Sequence, residues 1–322
     1  MNEVLLSNEV IVYLLSEALL YLLLFLAFMI TPMLIKRWNF DAFTSEQFAL
    51  EKRSYLVMTI IWFALILKIL LLPYFVYTID RLSDIVPGAM CAAGIIKANS
   101  YGNPLLTLKI TIIFLGALWM TLNRLDLQAK EYPYTQQKLW FFISIFVLLS
   151  VEFGLDILYF THIETTNPVT CCSVIFGQTA GMNDLPFGLD IHKLLILFYL
   201  LYALIVCMTF VEVAIGVFLS STLFLYIAYY SVVYFYGTYI YELPTHKCPF
   251  CMLQSDYYFV GYFVWGLLLV GIFFSVNYAF GKSIFAKEFL LSKKLSLFLL
   301  TLFILLCSLY VAIYYLKNGV LL

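Results

Sequence analysis

Long apolar segments separated by short polar loops run along almost the whole chain. A membrane-spanning helix needs about 20 predominantly apolar residues. Eight segments reach that length, near residues 9–35, 55–78, 105–123, 139–161, 193–213, 216–240, 258–280 and 296–316. The stretch from His192 to Glu242 is long enough for two helices, and Glu212 and Gly216 are the turn-like residues near its middle. The pattern predicts an all-α polytopic membrane protein with about eight transmembrane helices.

Composition agrees with this pattern. Of the 322 residues, 64% are hydrophobic and 11% are charged, too few charges to cover the surface of a soluble domain. The formal net charge of -1 offers no basic field for nucleic acid, so we expect no nucleic-acid partner. The first apolar segment is too long for a cleaved signal peptide. We therefore expect a single membrane domain over residues 1–322, with the lipid bilayer as its surroundings.

Basic residues indicate the orientation, because cytoplasmic loops of membrane proteins are enriched in Lys and Arg. They concentrate in the loops after the first, third and seventh segments: Lys36, Arg37, Lys52, Arg53, Arg124, Lys130, Lys138, Lys282, Lys287, Lys293 and Lys294. This placement predicts both termini on the non-cytoplasmic side, in a bacterial inner membrane. The loops near 79–104, 162–192 and 241–257 are then the outer loops.

Each outer loop carries a proline followed four residues later by a cysteine. The pairs are Pro87 with Cys91, Pro168 with Cys172, and Pro244 with Cys248. Together with Cys171 and Cys251, these loops hold all but two of the seven cysteines. Because proline restricts its own backbone and that of its predecessor, we expect the repeated spacing to direct the three loops toward one centre.

The third loop contains the sharpest motif, Cys248-Pro249-Phe250-Cys251. Two cysteines at this spacing can form a reactive dithiol, and a nearby helix N-terminus favours the thiolate. Lys247 and His246 add positive charge. The first hypothesis is a thiol–disulfide oxidoreductase in which Cys248 attacks and Cys251 resolves. The pair Cys171 and Cys172, with Cys91, would supply the second redox centre.

Cys-Pro-aromatic-Cys is similar to the redox motif of glutaredoxins. The layout, with a Cys-x-x-Cys at the outer membrane boundary beside a second cysteine pair, resembles membrane thiol oxidoreductases of the DsbB and vitamin K epoxide reductase families. Those families use four-helix bundles, whereas about eight helices are predicted here. The redox hypothesis gives the electrons a quinone or a periplasmic thioredoxin-like protein as acceptor.

Two alternatives use the same thiols. Soft ions such as Cu(I) prefer thiolate, thioether and imidazole ligands. The chain offers a ligand set for a copper-binding or copper-transport protein that exchanges metal with a carrier protein: Cys91, Cys172, Cys248, Cys251, His246, Met90 and Met252. The other alternative is a structural or permease-like subunit whose loops are joined by disulfides.

Ionisable residues inside the predicted spans form a second group, because burying charge in a membrane is costly. They are Glu17, Lys68, Glu152 and Asp156, with the last two on one helix face. Two interpretations of these residues are possible: a buried Lys68–Glu152 ion pair, or a proton path toward the cysteines. Near the third loop, Tyr241, Tyr257 and Tyr258 are candidates for a quinone pocket, or ordinary interfacial aromatics.

Overall fold

The computed structural model describes residues 3–39, 44–89, 91–129, 132–169, 188–285 and 289–322. Within this part of the chain the secondary structure is helical, without strands, and eight helices are long and apolar enough to span a membrane. This confirms the predicted all-α polytopic membrane fold. The orientation across the membrane, and the treatment of residues 1–322 as a single membrane domain, stay predictions.

The chain divides into two compact units, residues 1–170 and residues 171–322. In the described part of the first unit, four long helices alternate with short connections. Its helices are α1 (Glu3–Leu6), α2 (Asn8–Arg37), α3 (Ser45–Arg81), α4 (Ala92–Ile96), α5 (Gly102–Gln128) and α6 (Thr135–Thr161).

Side-chain caps set where the first two long helices begin. The Val10 amide donates to the Ser7 hydroxyl, and the Gln47 amide donates to Thr44, so each cap satisfies a backbone donor that has no partner within the helix. Apolar residues from all four long helices then form a common core. Its members include Leu20, Leu24, Val57, Ile61, Ile112, Trp119, Phe142 and Ile145.

The second unit repeats the order of elements found in the first. Among its described residues, two long helices precede a loop with Pro-x-x-x-Cys and short helical turns, and two long helices follow it. The α-helices are α7 (Ile191–Val211), α8 (Ala214–Ser231), α9 (Gly237–Tyr241), α10 (Val260–Phe285) and α11 (Leu290–Asn318). Residues Val232–Tyr236 join α8 to α9 as one turn of π-helix, so that 214–241 forms one continuous span.

The hairpin between α7 and α8 turns at Glu212 and Val213. Glu212 takes a left-handed conformation with φ of 63° and ends α7. Its carboxylate accepts hydrogen bonds from Lys282 at 2.6 Å and Lys293 at 2.9 Å. These contacts join the tight turn to α10 and α11, and the turn divides 191–241 into the two spans that were predicted.

Candidate functional site

The thiol loop, residues 242–259, lies between α9 and α10 in the second unit. Both of its cysteines are buried, with Cys248 1% exposed and Cys251 8% exposed. Their sulfur atoms lie within 4.8 Å of each other. A small backbone shift would therefore bring them to bonding distance, so the pair has the proximity that a reversible disulfide requires.

Two aromatic side chains hold the backbone of the thiol loop by hydrogen bonds. The Tyr241 hydroxyl donates to the Cys248 carbonyl and accepts from the Met252 amide at 3.0 Å. The Trp265 indole N–H of α10 donates to the Pro249 carbonyl at 3.0 Å. Because these bonds reach the backbone on both sides of Pro249-Phe250, they fix the segment that carries the two thiols.

Charge and aromatic rings surround the same segment. Lys247 precedes Cys248, and its ammonium lies 5.1 Å from the centre of the Tyr234 ring. Burial lowers the pKa of Lys247. Burial, and then negative charge on the Cys251 thiol, raise the pKa of Tyr257. Because the thiol charges act on Tyr257, its phenol is a group that can exchange a proton with them.

The structure places the residues proposed as metal or cofactor ligands in different surroundings. The Tyr241 ring packs on His246 at 4.2 Å and on Tyr257 at 4.7 Å, close to the thiols. Tyr258, by contrast, is 90% exposed.

The Met252 side chain, proposed as a metal ligand, is fully buried. It lies so close to Gly261 that a Cβ there would be 2.6 Å from Met252 Cγ, and it also approaches Gly237. Met252 therefore packs between helices.

In the first unit, Cys91 is 1% exposed and occupies the position before α4. The Asp80 carboxylate holds the start of that short helix by accepting from the Ala92 amide at 3.2 Å. The first two Pro-x-x-x-Cys loops meet beside their prolines, since the Val169 amide donates to the Pro87 carbonyl at 2.9 Å. Gly88, with φ of 81°, makes this approach possible, because a Cβ there would lie 2.7 Å from the Val169 oxygen.

Three candidate site residues lie outside the described residues: Met90, Cys171 and Cys172. The role of the vicinal pair stays a prediction, and so does the convergence of all three Pro-x-x-x-Cys loops on one centre.

A second constellation lies inside the helices of the first unit. Six buried side chains form what we call the ionic cluster: Tyr13, Glu17, Lys68, Lys109, Glu152 and Asp156. All four long helices contribute, with α2 supplying the tyrosine and one glutamate, α3 and α5 one lysine each, and α6 the other two carboxyls. The structure thus brings together all four ionisable residues that the sequence singled out.

Short ion-pair contacts connect the ionic cluster. Lys68 Nζ lies 2.7 Å from Glu17 and 2.8 Å from Glu152. Lys109 Nζ lies 2.7 Å from Glu152, 2.8 Å from Asp156 and 3.4 Å from Glu17. The three carboxylates surround the two ammonium groups, so the lysines occupy the place that a bound cation would take.

Sequence reasoning missed Lys109 and Tyr13. Lys109 lies close to the start of a span, where lysines ordinarily reach back to the interface. The signal that could have identified it is charge balance, because three buried carboxylates need more than one basic partner. Tyr13 lies four residues before Glu17, a spacing that puts both on one helix face.

A cavity of about 420 Å³ opens in the second unit, and it too was not predicted. Its lining includes Tyr199, Phe235, Tyr236, Ser308 and Tyr315. The Tyr236 hydroxyl donates to Tyr199 at 3.1 Å, and Tyr199 pairs with Ser308 at 2.9 Å. The volume falls in the range of small-molecule pockets, and apolar walls with a few hydroxyls are typical of them.

Comparison with known proteins adds no relative. No protein-family model, no curated protein and no solved structure matches this chain.

Proposed function

We propose that the protein is a membrane thiol–disulfide oxidoreductase whose working pair is Cys248 and Cys251, with its thiol loop on the periplasmic face of a bacterial inner membrane. One observation carries the proposal: the two sulfurs lie within 4.8 Å of each other in a buried, hydrogen-bonded loop. Two thiols held this close can pass electrons by exchange with another disulfide.

In the exchange step, the Cys248 thiolate attacks one sulfur of a partner disulfide. A mixed disulfide forms, and one partner thiolate leaves. The Cys251 thiolate then attacks Cys248 Sγ, which closes the Cys248–Cys251 bond and releases the second partner thiolate. Two electrons have passed from the loop to the partner, and two protons have moved from the loop thiols to water or to the new dithiol. The reverse sequence oxidises a partner dithiol.

Exchange in the oxidising direction needs an electron acceptor, which we propose is a quinone or a small thioredoxin-like periplasmic protein. The 420 Å³ cavity supports the quinone, because its hydroxyls can donate to the carbonyl oxygens of a flat ring. Tyr236, which lines it, precedes Tyr241 by five residues, or about 8 Å of helix. The cavity and the thiol loop therefore share one helix.

Trapping the mixed disulfide tests the proposal. We expect Cys251→Ser to accumulate a mixed disulfide through Cys248, because the resolving thiol is gone. Acid-quenched, alkylated membranes analysed on non-reducing gels would detect it. The matched control is Cys207→Ser, which removes an exposed cysteine of α7. If no Cys248-dependent adduct forms, and Cys248→Ser leaves cellular thiol status unchanged, the proposal is wrong.

Binding of a soft metal such as copper is the second candidate, and the short distance between the two sulfurs favours it. Two thiolates within 4.8 Å can share one soft ion. Metal analysis of the purified protein separates the two functions. A metal site predicts stoichiometric copper that is lost in the Cys248→Ser/Cys251→Ser double variant, whereas a redox site predicts turnover without bound metal.

A further inference from the structure

The ionic cluster of the first unit holds an odd number of charges. Three carboxylates and two ammonium groups would leave a net charge of -1 if every group were ionised. The carboxyl residues are at most 4% exposed, and they lie among membrane-spanning helices. An unbalanced charge at such a site is costly. One added proton makes the cluster neutral.

The hydrogen bonds of Tyr13 independently indicate that the ionic cluster holds one added proton. Its hydroxyl oxygen lies 2.9 Å from Glu17 Oε1 and 3.1 Å from Asp156 Oδ1. A phenol carries one hydrogen, so it can donate to one of these oxygens and no more. Both contacts become hydrogen bonds when one of the two carboxyls is protonated and donates to the tyrosine oxygen.

We propose that the ionic cluster is a site for one exchangeable proton, which Glu17 and Asp156 share through the hydroxyl of Tyr13. When the proton is on Asp156, that carboxyl donates to Tyr13, and Tyr13 donates to Glu17. When it is on Glu17, both bonds reverse. The proton moves along two hydrogen bonds without any change of heavy-atom position.

The lysine contacts indicate where the proton resides. Glu152 contacts both ammonium groups, at 2.8 Å and 2.7 Å, and stays ionised. Glu17 contacts Lys68 at 2.7 Å and Lys109 at 3.4 Å, whereas Asp156 contacts Lys109 alone. With the fewest cationic partners, Asp156 is the carboxyl that carries the proton at rest.

A small cavity beside the ionic cluster has room for a proton acceptor other than the side chains. Its volume is about 10 Å³, which is the space that one water molecule needs. Tyr13, Glu17, Lys68, Lys109 and Glu152 supply its polar wall. The apolar wall is formed by Leu71, Leu72, Phe75 and Ile113. One water there could hydrogen-bond to Glu17 and receive the proton.

A reversible proton site at this depth would make the first unit a proton-binding unit within the membrane. Glu17 lies nine residues after the start of α2, or about 14 Å along the helix axis. This is roughly half of an apolar layer about 30 Å thick. This inference concerns the first unit by itself and does not depend on the thiol chemistry proposed for Cys248.

Infrared spectroscopy of the full chain in lipid nanodiscs tests the inference. We expect a C=O stretch from a protonated carboxyl at neutral pH, shifted in D₂O and by ¹³C labelling of the aspartate side chains. Asp156→Asn should abolish the band, and Tyr13→Phe should shift it. Labelling uses the unaltered protein, so the result does not depend on whether a variant folds.

Asp126→Asn is the matched control. Asp126 is equally buried in the first unit but is balanced by its own lysine, Lys138. The band should survive this change. A band that disappears in Asp156→Asn or Glu17→Gln supports the shared proton. A protein without the band at neutral pH, a band unmoved by labelled aspartate and labelled glutamate, or a band lost in Asp126→Asn would overturn it.

Discussion

The two units share an order of elements but differ in what they bury. In the first unit, charged side chains from all four long helices meet between the helices. Among the described residues of the second, Asp, Glu and Lys lie in the loops or near the helix ends, and hydroxyl pairs and tilted aromatic contacts connect the helices. The same helical layout can therefore be held together by ion pairs or by hydroxyls and aromatic packing.

The first and third Pro-x-x-x-Cys loops also differ in the contacts that hold them. After Pro87 the chain pairs with Val169 and enters a short α-helix, whereas the thiol loop is held by Tyr241 and Trp265. The second unit has a close dithiol and no buried ion pair among its described spans. Among the described spans and the thiol loop, the buried ion pairs thus lie in the first unit and the Cys248–Cys251 pair lies in the second. The predictions below test that division.

The largest effect is expected from Lys109→Met. The change leaves three buried carboxylates with one lysine, and removing one partner from a buried pair costs about 3–5 kcal/mol. Unfolding in detergent micelles would measure the loss of stability. Lys317→Met is the counterpart in the second unit, where an exposed pair with Glu242 is worth at most about 1 kcal/mol. Equal losses of stability in the two variants would contradict the proposed difference between the buried and the exposed ion pairs.

Tyr241→Phe should act on the thiol loop. It leaves the Cys248 carbonyl and the Met252 amide without the hydroxyl, and an unsatisfied buried group costs about 1–3 kcal/mol. We expect faster alkylation of Cys248 and Cys251, measured by mass spectrometry. Tyr239→Phe, which removes a long 3.5 Å contact to Leu322, should leave the rate unchanged. No difference between the two would show that Tyr241 does not hold the loop.

A smaller effect is expected where hydroxyls join the helices of the second unit. Ser221 and Ser275 pair at 2.6 Å between α8 and α10. Interhelical hydrogen bonds in membranes contribute about 0.6 kcal/mol on average. A double-mutant cycle with Ser221→Ala and Ser275→Ala should give a coupling energy of that order. A coupling as large as that of the ionic cluster would remove the distinction between the units.

The smallest effect should come from Glu212, at the exposed turn between α7 and α8. Hydrogen bonds from Lys282 and then Lys293 lower the pKa of its carboxyl from 4.5 to about 2. Because the folded pKa is depressed, the stabilisation is complete above about pH 4.5 and is lost as the pH falls toward about 2. Unfolding as a function of pH would show this acid-side loss, and Glu212→Gln should lack it.

Helices were predictable because a span is a simple count of apolar residues. The division near Glu212 could also be predicted, since that turn is the polar break in a long apolar stretch. Four members of the ionic cluster could be named because charges inside spans are rare. Their contacts could not, since helix depth does not determine which helices are neighbours.

Other features escaped prediction for physical reasons. Lys109 resembles an interfacial lysine when position along the helix is considered alone. The cavity beside Tyr199 depends on residues far apart in the chain, and tyrosines near a span end are typical of any interface. Tyr258 shows the limit of proximity in sequence: it follows Tyr257 directly, yet it is 90% exposed.

The π-turn at Val232–Tyr236 determines what the end of its helix can reach. An inserted residue rotates everything after it by about 100° around the axis relative to a regular α-helix. Tyr241 directs its hydroxyl to the Cys248 carbonyl from that rotated position. Deleting one residue from this turn would keep the span and its hydrophobicity, yet it would aim the phenol at a different neighbour. The register of a single helical turn thus determines whether the Tyr241 hydroxyl can hydrogen-bond to the loop that carries the two thiols.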